Sequence, residues 1–341
     1  MQCDKILGTL YGAAYGDSLG AITEFCSREE ISKAFPQECT EYAASISFIT
    51  KGITPGTVTD DFGSSCYFMK AIVKHQGAFS REIAMEAILD WADDEIVFAR
   101  YAGQNTKEAI IRLKQGIVID EMSKARHFSR ANTNGGAMKA SPLGLLAHGN
   151  KEKAIDYALA MCWPTHYNSA AASAASAIAC AVCEAMSETA TLDSIVEQAI
   201  YGARIARQRL EKEGFASMGP YVDVKIREAA ALGKTSTGYF DTIEMLNGSI
   251  GTNIWVQESI PAVFAIIMAC RGDFAESVKC AVNAGGDTDT ISSMVGAILG
   301  GYHGIYCVPK DVIERIQHVN QFLHLKEVIH DFTNLLLNKG G

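Results

Sequence analysis

Residues 281–301 read AVNAGGDTDTISSMVGAILGG. A Gly-Gly pair runs straight into two Asp-Thr pairs, and these open a stretch of Gly, Ala and Ile with helical spacing. Asp and Thr are favoured helix N-caps, because their side-chain oxygens accept from unpaired first-turn N–H groups. Capping alone would account for this stretch if it stood by itself. Two further acidic patches interrupt apolar helical sequence upstream. YGAAYGDSLGAITEF at 11–25 carries Asp17 and Glu24, and GTVTDDFGSS at 56–65 sets Thr59, Asp60 and Asp61 directly before a helix. Adjacent aspartates at a turn entering a helix can diverge, so each approaches a site from its own direction.

Around these patches the pattern is helical. After Asp61, residues Phe62, Cys66, Met69 and Val73 share one face at a period of 3.6, and Ile83, Ala87 and Trp91 repeat it. TKEAIIRLKQG closes on a glycine suited to a helix C-cap. Residues 169–186 are dense in Ala and Ser, which lets neighbouring backbones approach closely and predicts a helix at the centre of a bundle. Pro261 in ESIPAVFAIIMAC suits a first-turn position. EYAASISFIT and TGYFDTIEML are the only weak strand candidates, and the glycine-bearing joints at 132–149 and 216–239 read as loops. No low-complexity linker interrupts the chain, so the expectation is one compact all-α domain over residues 1–341.

Composition narrows the function classes. A hydrophobic fraction of 48% supports a real core, and a net charge of −9 disfavours nucleic acid as a default partner, since phosphate-backbone binding leans on Lys and Arg. No run of apolar residues is long enough for a membrane span, and the first residues lack a signal-peptide pattern. Ten cysteines in 341 residues do not make a disulfide scaffold. Cys180 and Cys183 have CxxC spacing inside an Ala-rich helix and read as buried, reduced thiols. A soluble, cytoplasmic protein without membrane partners is expected, with a monomer as the default. The run Asp93, Asp94, Glu95 reads as solvated.

Should Glu24, Asp60, Asp61, Asp287 and Asp289 converge, five negative charges would raise one another's pKa values or repel the site open. Two divalent cations would make the convergence tenable. The donors are carboxylates and threonine hydroxyls, a hard-oxygen set that points to two Mg²⁺, with Mn²⁺ a close competitor, and away from zinc or copper.

Four segments together carry a resemblance: GAAYGDSLGAITEF, TVTDDF, NTNGGAMKASPLGLL with the following WPTHYNSAA, and AVNAGGDTDTISSMVGAILGG. In order and spread, over about residues 5–305, they resemble the ADP-ribosylglycohydrolase family. The resemblance implies that family's multi-helix orthogonal bundle with two Mg²⁺ in a cleft. It implies metal ligands Thr59, Asp60 and Asp61 from one side and Asp287, Asp289 and Thr290 from the other. It implies that Glu24 lies beside the metals in a catalytic role, and Asp289 could share the proton handling. Asn134, Gly135, Gly136 and Met138 match the loop that wraps the diphosphate and distal ribose, and His166 a histidine near the adenosine end. Read without the resemblance, His166 precedes a helix and could simply cap or pack. Trp163 and Tyr167 could stack on a base or pack in the core, and Asp17 could brace the turn that presents Glu24.

The implied activity is cleavage of the glycosidic bond at C1 of a ribose, releasing ADP-ribose from a protein side chain or small conjugate through an oxocarbenium-like transition state. Two positions depart from the family pattern. Phe62 stands where a Thr or Ser often follows the paired aspartates, and Lys139 where an Arg often follows the loop methionine. Lys139 keeps the charge but not the planar fork. These departures motivate one alternative, a nucleosidase-like ribosyl glycosidase with a smaller substrate; a second is a non-catalytic ADP-ribose-binding protein, since a fold can lose its chemistry while retaining its packing.

Overall fold

The architecture was taken from a computed structural model, which describes residues 2–94, 97–117 and 132–339; Glu95 lies outside them. Its most extensive helix pair joins the first helix, Gln2–Gly20, to the helix that the Asp-Thr pairs open, Thr288–His303. Glycine makes this possible. A Cβ built on Gly8, Gly12 or Gly16 would lie 2.2, 2.2 and 2.0 Å from the backbone oxygens of Gly300, Gly296 and Ser292. Partner numbers fall as first-helix numbers rise, so the pair is antiparallel. Gly20 therefore meets the opposite helix at its start, where a Cβ would be 2.5 Å from the Asp289 Cα. This contact brings the first and last acidic patches to one end of the molecule.

The Ser169–Ala185 helix is buried at every residue but Glu184. It packs against Leu192–Lys212, Lys151–Cys162 and Thr288–His303, the central position its small side chains predicted. The Asp60–Lys74 helix buries Phe62, Cys66 and Met69 and lies against Arg81–Ala92 and Leu325–Lys339. Beyond these, Val256–Ala269 pairs with Val222–Thr235. Among the described residues there is no strand ladder, only one antiparallel bridge between Thr133 and Trp255. The chain is all-α, as expected.

Several local readings need correction. EYAASISFIT is irregular, pinned by Ser45 and Thr50 hydroxyls donating to the carbonyl of Ala21. TGYFDTIEML holds the helix Tyr239–Met245, whose turns continue to Ile250. The 216–239 joint contains the 14-residue helix Val222–Thr235. Pro261 lies inside its helix, because Trp255 caps it and helical turns begin at Val256. Asp94 is half-buried and accepts a hydrogen bond from the Tyr67 hydroxyl, so it is not merely solvated, whereas Asp93 is exposed as expected, in a surface pair with Lys114 at 2.9 Å. Cys180 and Cys183 are buried and unbridged. Among the described residues no helix is long and apolar enough to cross a membrane.

Candidate active site

The Gly-Gly turn before Asp287 is a knot between distant segments. Gly285 and Gly286 have φ of +83° and +78°, a region that side-chain-bearing residues rarely adopt. A Cβ on Gly286 would also stand 2.4 Å from the Thr252 carbonyl oxygen. Phe25 N donates to Gly286 O (2.7 Å), Gly286 N to Cys26 O (3.0 Å), and Asp287 N to Thr252 O (2.7 Å). Thr288 Oγ1 donates to Gly20 O at 2.9 Å. Glu24 is thereby tied by its neighbours to the Asp287 turn, although more than two hundred residues separate them.

The other half is built on Asp17. Its carboxylate accepts from Thr59 N (2.9 Å), Thr59 Oγ1 (2.8 Å) and Phe62 N (2.9 Å). Asp17 thus braces the helix start that carries Asp60 and Asp61, not the Glu24 turn expected from the sequence. The first helix runs on to Gly20, so Asp17 faces across to Thr59. Thr59 Oγ1 stands 2.8 Å from Asp17 Oδ1, 3.3 Å from Asp61 Oδ2 and 3.4 Å from Asp289 Oδ2. A hydroxyl has one hydrogen, so two of these three carboxylates are left without a donor from it.

The electrostatics follow. Burial, then the charges of Asp287, Asp60 and Asp17, push Glu24 up to about 9. Burial pushes Asp60 to about 7, against the pull of Lys139, and Asp17 to about 6, against its three hydrogen bonds. Asp61 and Asp289 are held well above the carboxylate range, by burial first and then by neighbouring carboxylates. Asp287 is raised less, by burial offset by hydrogen bonds that include Asn134.

Three buried carboxylate oxygens, Glu24 Oε2, Asp61 Oδ1 and Asp289 Oδ1, have no hydrogen-bond partner. Native interiors rarely leave such atoms unsatisfied. Among the described residues, no three His, Cys, Asp or Glu side chains close around one point tightly enough to form a ligating cage. The unpartnered oxygens and the crowding at Thr59 nevertheless carry more weight, because they describe a charge deficit that divalent cations with oxygen ligands remove. The residues present fit that group.

These carboxylates open onto a cleft of about 1410 Å³. Glu24, Asp60, Asp61, Asp287, Asp289 and Thr290 line it, while Thr59 sits beneath. One wall is the single turn Asn134–Lys139, fixed by Asn134 N donating to Ile254 O and by the Asn134 amide donating to Asp287. Gly135 and Met138 face the cleft. Gly136 faces inward, where a Cβ would be 3.0 Å from Cys162 Sγ. His166 lies under Gly135 so closely that a Cβ there would be 2.9 Å from the ring. Its Nδ1 and Nε2 lie 2.7 and 3.3 Å from the Thr165 and Thr133 hydroxyls. Tyr167 lines the cleft and also accepts from Arg81 at 2.7 Å, whereas the Trp163 ring is covered by the Arg81 guanidinium at 3.7 Å.

Burial, and secondarily Lys139, lower the His166 imidazole to about 3, so the ring is neutral at ordinary pH. A folded-state pKa below the unfolded value favours the native state above the unfolded pKa. That contribution is lost as pH falls toward the folded pKa, at about 1.4 kcal/mol per pH unit. The variant His166→Asn should therefore lose less stability than the parent protein between about pH 6.5 and pH 4. Urea melts across that window with equal slopes for both proteins would contradict this placement.

Sequence reading missed the lip of the cleft. Phe25, Phe48, Tyr101 and Trp255 line it from four separate segments, with Phe48 77% exposed. Nothing in their local sequence marks them. The two departures from the family pattern both lie outside the cleft lining. Phe62 is a core residue, and Lys139 is fully buried behind the loop.

A family model described as ADP-ribosylglycohydrolase matches residues 1–340. An uncharacterized protein of Escherichia coli K12, YegU, is 27% identical over 330 residues, covering 94% of each chain. ADP-ribosylhydrolase ARH3 of Xenopus tropicalis is 24% identical over 327 residues, 89% of each chain. The ADP-ribosyl-[dinitrogen reductase] glycohydrolase of Rhodospirillum rubrum is 27% identical over 169 residues, 48% of this chain and 51% of that one. A solved structure titled ADP-ribosylglycohydrolase-related protein complex superposes with a TM-score of 0.65 at 20% identity, covering 97% of this chain and 99% of the other. It shares the fold.

Proposed function

The chain belongs to the ADP-ribosylglycohydrolase family and is a hydrolase of ADP-ribose linkages, and from that premise we propose that it uses two Mg²⁺, replaceable by Mn²⁺, to free ADP-ribose from a modified protein side chain or a small ADP-ribosyl conjugate. The observation that carries this reading is the trio of unpartnered buried oxygens on Glu24, Asp61 and Asp289 around a shared cleft.

Thr59, Asp60 and Asp61 would hold one side of the ion pair, and Asp287, Asp289 and Thr290 the other. Such ions supply positive charge and fix sugar hydroxyls beside a nucleophilic water. The protein's own groups do the rest. Asp17 keeps Thr59 and the Asp60 helix start in place through three hydrogen bonds. The Asn134 turn bounds the space for the diphosphate, and neutral His166 offers a ring edge without charge. Glu24 would take the proton of the attacking water once bound cations hold it ionised, since without them burial and the charge of Asp287 keep its carboxyl protonated; Asp289 is the alternative for that role. Holding water and sugar in an attacking geometry is worth up to about 7–11 kcal/mol in ideal cases.

Size and placement favour this over the smaller-substrate alternative. The cleft of about 1410 Å³ exceeds the usual range for small-ligand pockets. Phe62 and Lys139, which motivated that alternative, are absent from its lining. The test is to strip the protein of metal, restore Mg²⁺ or Mn²⁺, and follow free ADP-ribose from arginine-, serine- and nucleic-acid-linked conjugates. Release should require the divalent ion. Silence on all three linkages with both ions would overturn the proposal.

A further inference from the structure

Lys139 ends the turn that Asn134 begins, and its side chain is completely buried. Its ammonium donates to the Gly135 carbonyl, four residues back, and lies 5.6 Å from the centre of the Trp91 ring. Neither of these partners carries a negative charge. An ammonium taken out of water costs several kcal/mol unless opposite charge lies close by. The turn packs against both the Asp60–Lys74 and the Thr288–His303 helices, whose first turns carry Asp60, Asp61 and Asp289. Burial lowers Lys139 from the ordinary lysine range, against the pull of Asp60, then Cys162 and Asp61. At its other end the same turn delivers Asn134 to Asp287. One six-residue turn therefore links both halves of the acidic site to a buried lysine.

We propose that Lys139 is a resident counter-cation of the carboxylate cluster: a positioning residue that clasps the Asn134–Lys139 turn through Gly135 and weakens divalent-ion binding beside Asp60. This rests on the metal reading above but goes beyond it, because a residue outside the cleft sets how tightly the cleft holds its ions. Two effects of opposite sign follow. Removing the charge leaves the carboxylates freer to bind a cation, while removing the clasp loosens the wall against which Gly135 and Met138 face a ligand.

The experiment is calorimetric titration of the metal-stripped full chain with Mn²⁺ alone, and separately with ADP-ribose in the presence of saturating Mn²⁺. Lys139→Met should bind Mn²⁺ about tenfold more tightly or better, since removing the repulsion of a unit charge in a partly shielded interior is worth that much. It should bind ADP-ribose several-fold more weakly. Lys139→Arg, which keeps the charge, should hold Mn²⁺ as the parent does. Lys139→Gln serves if the Met variant does not fold, with the same expectation for Mn²⁺. A purely structural lysine would weaken ADP-ribose binding without tightening Mn²⁺, and that result overturns the proposal. If the parent chain binds no Mn²⁺, the metal reading falls as well. If it binds and the variants match it, only the role of Lys139 falls.

Discussion

Asp289→Asn is expected to cut ADP-ribose release on the order of a thousand-fold or more while raising the melting temperature of the metal-free protein. The two effects have one cause. Asp289 presents one oxygen with no partner and another 3.4 Å from a hydroxyl already committed to Asp17. Burial and then the charges of Glu24, Asp61, Asp287 and Asp17 all disfavour its ionised form. Without a divalent ion that carboxylate is a cost, and an amide of the same shape relieves it, by roughly 1–3 kcal/mol if it behaves like other unsatisfied buried groups. With an ion it would be a ligand. Losing it removes several kcal/mol of transition-state stabilisation, each 1.4 kcal/mol being about tenfold in rate. Activity assays in Mg²⁺ and thermal melts in a chelator check the two halves separately. A variant that stays active, or melts well below the parent in chelator, would show that Asp289 serves packing instead.

Gly16→Val should abolish both folding stability and activity. The first atom of the new side chain would fall 2.0 Å from Ser292 O and 2.3 Å from Ser292 C. Both are backbone atoms of a buried helix, so no rotamer change relieves the clash. The helices must separate, and with them Asp17 from the neighbourhood of Asp289. Overpacking against rigid backbone belongs among the exceptional substitutions, costing about 4 kcal/mol or more. Gly248→Ala is the control: a Cβ there meets nothing within 4 Å, and its effect should stay within about 0.5 kcal/mol. Chemical denaturation of the three proteins decides it. A folded, active Gly16→Val variant would contradict the packing described.

The acidic patches were legible because their chemistry is local. Asp and Thr before an apolar helix say where a helix starts and which oxygens are on offer, and the structure gathers all three patches. What linked them was not legible in the same way. Gly16 and Asp17 read locally as the end of the first helix, although it runs on to Gly20, the bare surfaces of Gly16 and Gly20 being filled by the helix opposite. Their spacing, Gly8, Gly12, Gly16 and Gly20, is a four-residue stripe that would have revealed a close helix partner. The error about Asp17 came from the same place, since a helix ended too early sends that side chain to the wrong neighbour. Lys139 follows the loop methionine in sequence, yet the tight turn at 134–139 sets it in the core. Pro261 and the supposed strands failed for a plainer reason: tertiary packing overrode weak local preference.

The glycine seam between the first helix and the Thr288–His303 helix also bears on the order of assembly. About 290 residues lie between Gly8 and Gly300. At 5–20 residues per second, the earliest-made helix waits roughly 15–60 s on the ribosome before its partner exists. The pocket therefore closes among the last events of biogenesis, and until then the glycine face of the first helix has no partner to cover it.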